Sequence, residues 1–220
     1  MGCSWYLAMT GAEYAAFSGE GLAAWMSCRF STVHTGLVNL PKDSPSLLIL
    51  DDLIPFDHHD PQRIARELTT IATEGILLDF QRDWDARPVI EAILNTVPCP
   101  VVVTEKHANG WDCPVLISPP LNIPIAQAVP KDRECWLDVA VGMQTFAVTE
   151  QGCTVSAITE PFGEFPMTDP GCHCRYRRED GQKEIRFCLY RPPEMLGDIL
   201  KDAEDAGIQK AIGLYRDFIR

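Results

Sequence analysis

Between residues 45 and 118 one phrase recurs: a short unbroken apolar run, a polar tip, then an amphipathic stretch. Leu47-Leu48-Ile49-Leu50 ends in Asp51-Asp52, Ile76-Leu77-Leu78 ends in Asp79, and Val101-Val102-Val103 ends in Thr104-Glu105. Apolar runs without alternation suit strands covered on both faces, and such strands are parallel ones joined by helices. The stretches between them carry helix signals. Asp60-Pro61 is an N-cap followed by proline at the first helical position, and Ile64, Ala65, Leu68, Ile71 and Ala72 share one face up to Gly75. Val89, Ile90, Ile93 and Val97 mark a second helix. The right-handed crossover rule limits this alternation to an open doubly wound sheet or a closed barrel.

Later segments favour closure. Residues 115–117, 136–141 paired with 146–149, 185–190 and 208–214 read as further strands, and a helix over 193–206 is stopped by Gly207. Adding residues 5–9 gives about eight inner strands, the number in a (β/α)8 barrel. The expected fold class is therefore α/β: one compact TIM-like barrel domain over residues 1–220. Such barrels usually take about 250 residues, so some outer helices are expected to be missing, above all in the proline-rich stretch 114–130. Glu150-Gln151-Gly152 between two β-rich runs predicts a hairpin, an antiparallel insertion within 135–158. Residues 160–184, with Pro161, Gly163, Pro166, Pro170, Gly171 and Gly181, read as a long surface loop.

Composition narrows the partners. With 31 acidic and 19 basic side chains the formal charge is −12, a surface that repels nucleic acid and anionic lipid and leaves neutral or cationic small molecules. No run approaches the roughly 18 to 20 apolar residues of a membrane helix, and the first residues lack a signal-peptide pattern, so no membrane partner and a cytoplasmic location are expected. Nine scattered cysteines read as reduced, mostly buried thiols rather than a disulfide framework. Two metal-like clusters are weak. In Asp57-His58-His59-Asp60 adjacent side chains diverge, and Cys172-His173-Cys174 lacks the gap that lets two ligands share one zinc. Gly19-Glu20-Gly21 lacks the later glycine of a dinucleotide fingerprint, and neither a Gly-Lys-Ser/Thr loop nor a Gly-x-Ser-x-Gly elbow occurs. No cofactor and no metal are expected, and the oligomeric state stays open.

In parallel barrels the reactive face lies at the carboxyl ends of the strands. The polar tips there are Asp51, Asp52, Asp79, Gln81, Thr104, Glu105, Ser118, Tyr190, Arg191, Tyr215, Arg216 and Asp217. Carboxylates with aromatics and few lysines suit carbohydrate, because acids handle glycosidic oxygens and flat rings stack on sugar faces. The run Glu74-Gly75-Ile76-Leu77-Leu78-Asp79-Phe80-Gln81 resembles the strand signature of glycoside hydrolase family 18, the chitinase-like barrels. The resemblance implies that Asp79 positions the N-acetyl group of a substrate and that position 81 is the proton donor's place. Here that place holds Gln81, and Leu77 replaces a further acid. An amide has no proton to give at any relevant pH.

Residues 207–218 also resemble the family's last barrel strand, whereas its Met-x-Tyr-Asp-like strand is missing. The leading expectation is a degenerate barrel that binds a sugar or glycan fragment without the family's acid catalysis. Asp79 and Gln81 then form the site's centre, Asp51, Asp52 and Asp217 bind the ligand, and Trp111, Tyr190 and Tyr215 offer stacking surfaces. Two alternatives stand beside it: an active hydrolase pairing Glu105 with Asp51, Asp52 or Asp79, and a non-catalytic scaffold using the edge of the 135–158 hairpin.

Overall fold

The computed structural model describes residues 2–19, 21–54, 56 and 58–218. The strands in chain order are β1 (Ser4–Met9), β2 (Leu22–Phe30), β3 (Leu37–Val38), β4 (Leu47–Asp51), β5 (Ile76–Asp79), β6 (Val101–Thr104), β7 (Val115–Ile117), β8 (Cys135–Asp138), β9 (Gly142–Thr149), β10 (Gly152–Val155), β11 (Met167–Asp169), β12 (Cys174–Asp180), β13 (Ile185–Arg191) and β14 (Lys210–Leu214). One sheet runs β1-β14-β8-β7-β6-β5-β4-β2-β3, and β1 also pairs with β2. That last pairing is parallel, Tyr6 opposite Leu22, and it closes the ring. With β3 set aside as an antiparallel appendage of β2, the ring is a closed barrel of eight parallel strands. The α/β TIM-like fold is thus observed.

The eight strands are not all those expected. Residues 185–190 belong to β13 in a separate five-stranded antiparallel sheet, β10-β9-β13-β12-β11, and β2 takes the vacant place in the ring. This sheet enters between β8 and β14 and is larger than the hairpin foreseen. The hairpin itself is present as β9–β10, Gly152 opposite Thr149. The stretch 160–184, expected as loop, contributes β11 and β12.

Helices cover the ring unevenly. α1 (Gly11–Ala16) follows β1, α2 (Pro61–Thr69) follows β4 and α3 (Arg87–Thr96) follows β5. The 114–130 stretch holds only the single-turn α4 (Ile125–Ala128), α5 (Leu196–Asp205) precedes β14, and α6 (Tyr215–Phe218) follows it. The Asp60 carboxylate caps α2 by accepting from the amides of Gln62 at 3.0 Å and Arg63 at 3.1 Å. The helix ends at Thr69 and not near Gly75, because the Thr69 and Thr70 hydroxyls fold back onto the carbonyls of Arg66 and Glu67, both at 2.7 Å. Those bonds satisfy carbonyls that another turn would have used.

Alternation along each strand divides the core. Ala8, Ile49, Leu77, Leu116, Trp136 and Ile212 pack inside the barrel. Their neighbours Leu48, Leu50, Ile76, Leu78, Val101 and Val103 face outward against Ile64 and Leu68 of α2 and Val89 and Ile93 of α3. The polar strand ends inherit the same parity.

Candidate functional site

Two residues beyond an inward apolar side chain, the chain points inward again. Ile49, Leu77, Leu116 and Trp136 are therefore followed at the mouth by Asp51, Asp79, Ser118 and Asp138, which line a cup of about 140 Å³ together with Gln81, Met26 and Leu214. The cup opens onto a cleft of about 840 Å³ walled by Gly142, Ile158, Thr159 and Glu160, by Tyr190 from β13 and by Arg216 and Asp217 from α6. Asp79, Asp138 and Leu214 border both spaces.

Each carboxylate at the mouth is held differently. Asp51 accepts from Arg29 Nε at 3.0 Å and from the Leu53 amide at 3.1 Å. Gln81 Nε2 donates to Asp79 Oδ1 at 2.6 Å, which fixes the two side chains against each other. Burial raises the Asp79 carboxyl above the usual carboxylate range; the Gln81 bond opposes this, and the charges of Asp51 and Asp52 add to it. Asp138 Oδ2 accepts from Ser118 Oγ at 2.8 Å, the one hydrogen bond to its carboxyl among the described residues. Burial pushes the Asp138 carboxyl up to about 6, against the Ser118 bond, with Asp79 adding, Arg191 opposing and Asp217 adding. Burial also raises Asp217, opposed by Arg216 and reinforced by Glu160.

Of the residues singled out from sequence, Asp51, Asp79, Gln81, Tyr190 and Asp217 come together around the cup and cleft. Asp52 does not. Its parity is that of Leu48 and Leu50, and it lies buried outside the ring, accepting from the Gln81 amide at 2.8 Å, the Arg82 amide at 3.1 Å and Trp84 Nε1 at 2.8 Å. Glu105 opens the 3-10 helix Glu105–His107, is exposed, and lines neither space. Trp111 sits under the Arg87 guanidinium, 5.1 Å from the ring centroid, beside a separate small cavity with Trp84 and His107. Tyr215 packs edge-on to Phe17 at 5.8 Å.

Asp138 was not legible as a strand tip because residues 136–141 read as one continuous strand. The ring strand stops at Asp138, and Gly142, at φ +127°, turns the chain into the second sheet. The signal was present all the same: Cys135-Trp136-Leu137-Asp138 is an apolar run closed by an acid, the phrase already seen at 47–51 and 76–79.

The metal-like clusters are used otherwise. Asp57 lies outside the described residues, as does Glu20. His58 is exposed, and His59 packs edge-on to Trp84 at 5.2 Å. Cys172 and Cys174 are buried with Leu121, Phe146 and Leu189, while His173 Nε2 lies 2.6 Å from Asp202. Among the described residues no group of three or more His, Cys, Asp or Glu is placed to hold a metal ion, and no helix is long and apolar enough to cross a membrane.

No protein-family model matches the chain, and comparison with curated proteins finds no significant match. Solved structures do match in shape. The spore cortex-lytic enzyme SleL of Bacillus megaterium QM B1551 superposes with a TM-score of 0.52 at 9% identity, over 99% of this chain and 72% of that one. SleL of Bacillus cereus gives 0.51 at 10% identity, over 96% of this chain and 70% of that one. At such identities the likeness is one of fold.

Proposed function

We propose that the acid-lined mouth of this barrel binds a sugar or glycan fragment. The observation that carries the reading is the Asp79–Gln81 pair: two side chains from one strand end, hydrogen-bonded at 2.6 Å, facing a cup that widens into a cleft large enough for more than one sugar ring. In this reading Asp79 accepts hydrogen bonds from the polar groups of the ligand. Gln81 locks the Asp79 rotamer, and Tyr190 offers a ring face from the far wall. The chitinase-like wording of β5 supports a ligand bearing N-acetyl groups, and the barrel shape shared with two cortex-lytic enzymes is consistent with it. Gln81 has no proton to donate, so the acid step that the family resemblance assigns to position 81 has no agent there.

Titration of the protein with N-acetylglucosamine tetramer in a calorimeter tests the reading. Binding is expected in the wild type, weakened about tenfold or more in Asp79→Ala by loss of charge-assisted hydrogen bonds worth about 1.5–3 kcal/mol each. Absence of heat with the wild type, for this oligomer and for unacetylated and neutral glucan oligomers alike, would remove it.

A further inference from the structure

We propose that Asp138 is the proton donor of a glycoside-cleaving site at this mouth, paired across the cup with Asp79. The inference rests on the sugar-binding reading above and adds a reaction to it. Its geometric basis is threefold. Asp138 and Asp79 are the last residues of two strands on different sides of the ring, β8 and β5, and they border the same cup and the same cleft. Ser118 Oγ holds Asp138 Oδ2 at 2.8 Å, orienting the carboxyl while Oδ1 receives no hydrogen bond from the described residues. Gln81 holds Asp79 Oδ1 at 2.6 Å, likewise leaving one oxygen for the ligand.

The other carboxylates are less suited. Asp51 is occupied by Arg29 and the Leu53 amide, Asp52 is outside the ring, and Glu105 is outside the cup. The Asp138 carboxyl is pushed up to about 6, by burial first and then by the charges of Asp79 and Asp217, against Ser118 and Arg191. Burial raises both carboxyls, and the Gln81 amide favours the charged form of Asp79, the partner that accepts the proton.

The step balances with water as the one co-reactant. Asp138 gives its proton to the glycosidic oxygen as the bond from that oxygen to C1 breaks, and the freed oxygen leaves as an alcohol. A water oxygen bonds to C1, and its surplus proton passes to Asp79. Asp138 regains a proton from solvent as Asp79 releases one, so the net change is glycoside plus water to a hemiacetal, the new reducing end, and an alcohol.

The test compares two probes on the full-length protein: N-acetylglucosamine tetramer, whose leaving group needs protonation, and 2,4-dinitrophenyl N-acetyl-β-glucosaminide, whose leaving group does not. In Asp138→Asn, turnover of the tetramer is expected to fall by about 100-fold or more, the usual range for loss of a general acid. Turnover of the dinitrophenyl glycoside is expected to fall by under about tenfold, and calorimetric binding of the tetramer to persist. Ser118→Ala removes a bond that lowers the Asp138 pKa, so it should move the alkaline limb of the kcat profile, expected near pH 6 in the wild type, upward. Equal losses on both probes in Asp138→Asn, or an alkaline limb unmoved in Ser118→Ala, would overturn the assignment. A wild type that binds the tetramer but cleaves neither probe would overturn it while leaving the binding reading intact. A wild type that does not bind at all would end both.

Discussion

Asp51 and Asp52 are adjacent in sequence, and β4 sends them to opposite sides of the ring. Asp51 looks into the cup, and Asp52 is spent on the segment that carries Gln81. Its two oxygens accept from two backbone amides and one indole within residues 81–84. That makes Asp52 the anchor of Gln81 rather than a ligand contact. Replacing it with alanine leaves three donors without their partner at a site 1% exposed. A hydrogen bond to a charged group is worth about 1.5–3 kcal/mol, and partial relaxation or water entry recovers part of the loss. Asp52→Ala is therefore expected to cost about 3 kcal/mol in urea unfolding, and Asp52→Asn, which keeps one acceptor oxygen, about half of that. A loss below about 0.5 kcal/mol in the alanine variant would show that the clamp is not made. Asp51, Asp52 and Asp79 are readable in the sequence as polar tips because each closes an unbroken apolar run, whereas Asp138 is hidden inside a longer β-rich stretch. Which of two adjacent tips faces inward is not readable, since that depends on where the ring register places Ile49.

At the level of elements, sequence legibility follows how completely each strand is buried. β4, β5 and β6 are covered on both faces and announce themselves as apolar runs. β2 (LAAWMSCRF) gives no such signal because alanines, Ser27 and Arg29 interrupt it and several of its side chains are only half-buried. β11 and β12 give no strand signal in the sequence because strands with exposed, charged faces have no apolar pattern to show. The passage from ring to second sheet depends on Gly142. At φ +127° it occupies a conformation that side chains rarely adopt, and a Cβ there would lie 2.8 Å from the Thr159 carbonyl oxygen and 2.8 Å from Ile158 Cγ2. Just beyond it, Met143 and Thr159 exchange two backbone hydrogen bonds of 2.8 and 2.9 Å that tie one wall of the cleft to β9. Gly142→Ala should destabilise the fold by about 1–3 kcal/mol, the usual cost of such strain. It should also speed hydrogen exchange at the Met143 and Thr159 amides more than at Leu77 or Val102 in the ring. Uniform exchange across both sets would mean that the junction is not a separate weak point.

For the molecule as a whole, the mouth works against stability at neutral pH. A carboxyl whose pKa is higher in the folded state than in the unfolded chain stabilises the fold fully only below its unfolded value, and that contribution disappears as pH rises through the folded value. For Asp138 the two values are 3.8 and about 6, so the window runs between them and the loss above it is about 3 kcal/mol. Asp79 and Asp217, also raised, act in the same direction. Glu67 acts in the opposite one. Burial alone would raise it, but the Arg63 side chain and the Leu37 amide outweigh burial and lower it. Its stabilising contribution is present above its unfolded pKa and fades as pH falls. Across the window from about pH 4 to about pH 6 the raised group should dominate, and a chain of formal charge −12 gains no relief from further ionisation.

Asparagine at 138 keeps the shape and an acceptor for Ser118 but has no proton to lose. Asp138→Asn should therefore remove most of the decline in urea-derived stability between about pH 4 and about pH 7, leaving the variant up to about 3 kcal/mol more stable than the wild type at the upper end. The same substitution is the one expected to cut turnover of the tetramer by about 100-fold or more. A group kept for chemistry is expected to show this opposition, gaining stability on replacement while losing rate. If the wild type and Asp138→Asn keep parallel stability curves across that range, the carboxyl is not held protonated by the fold, and its fitness as an acid at the mouth fails with it.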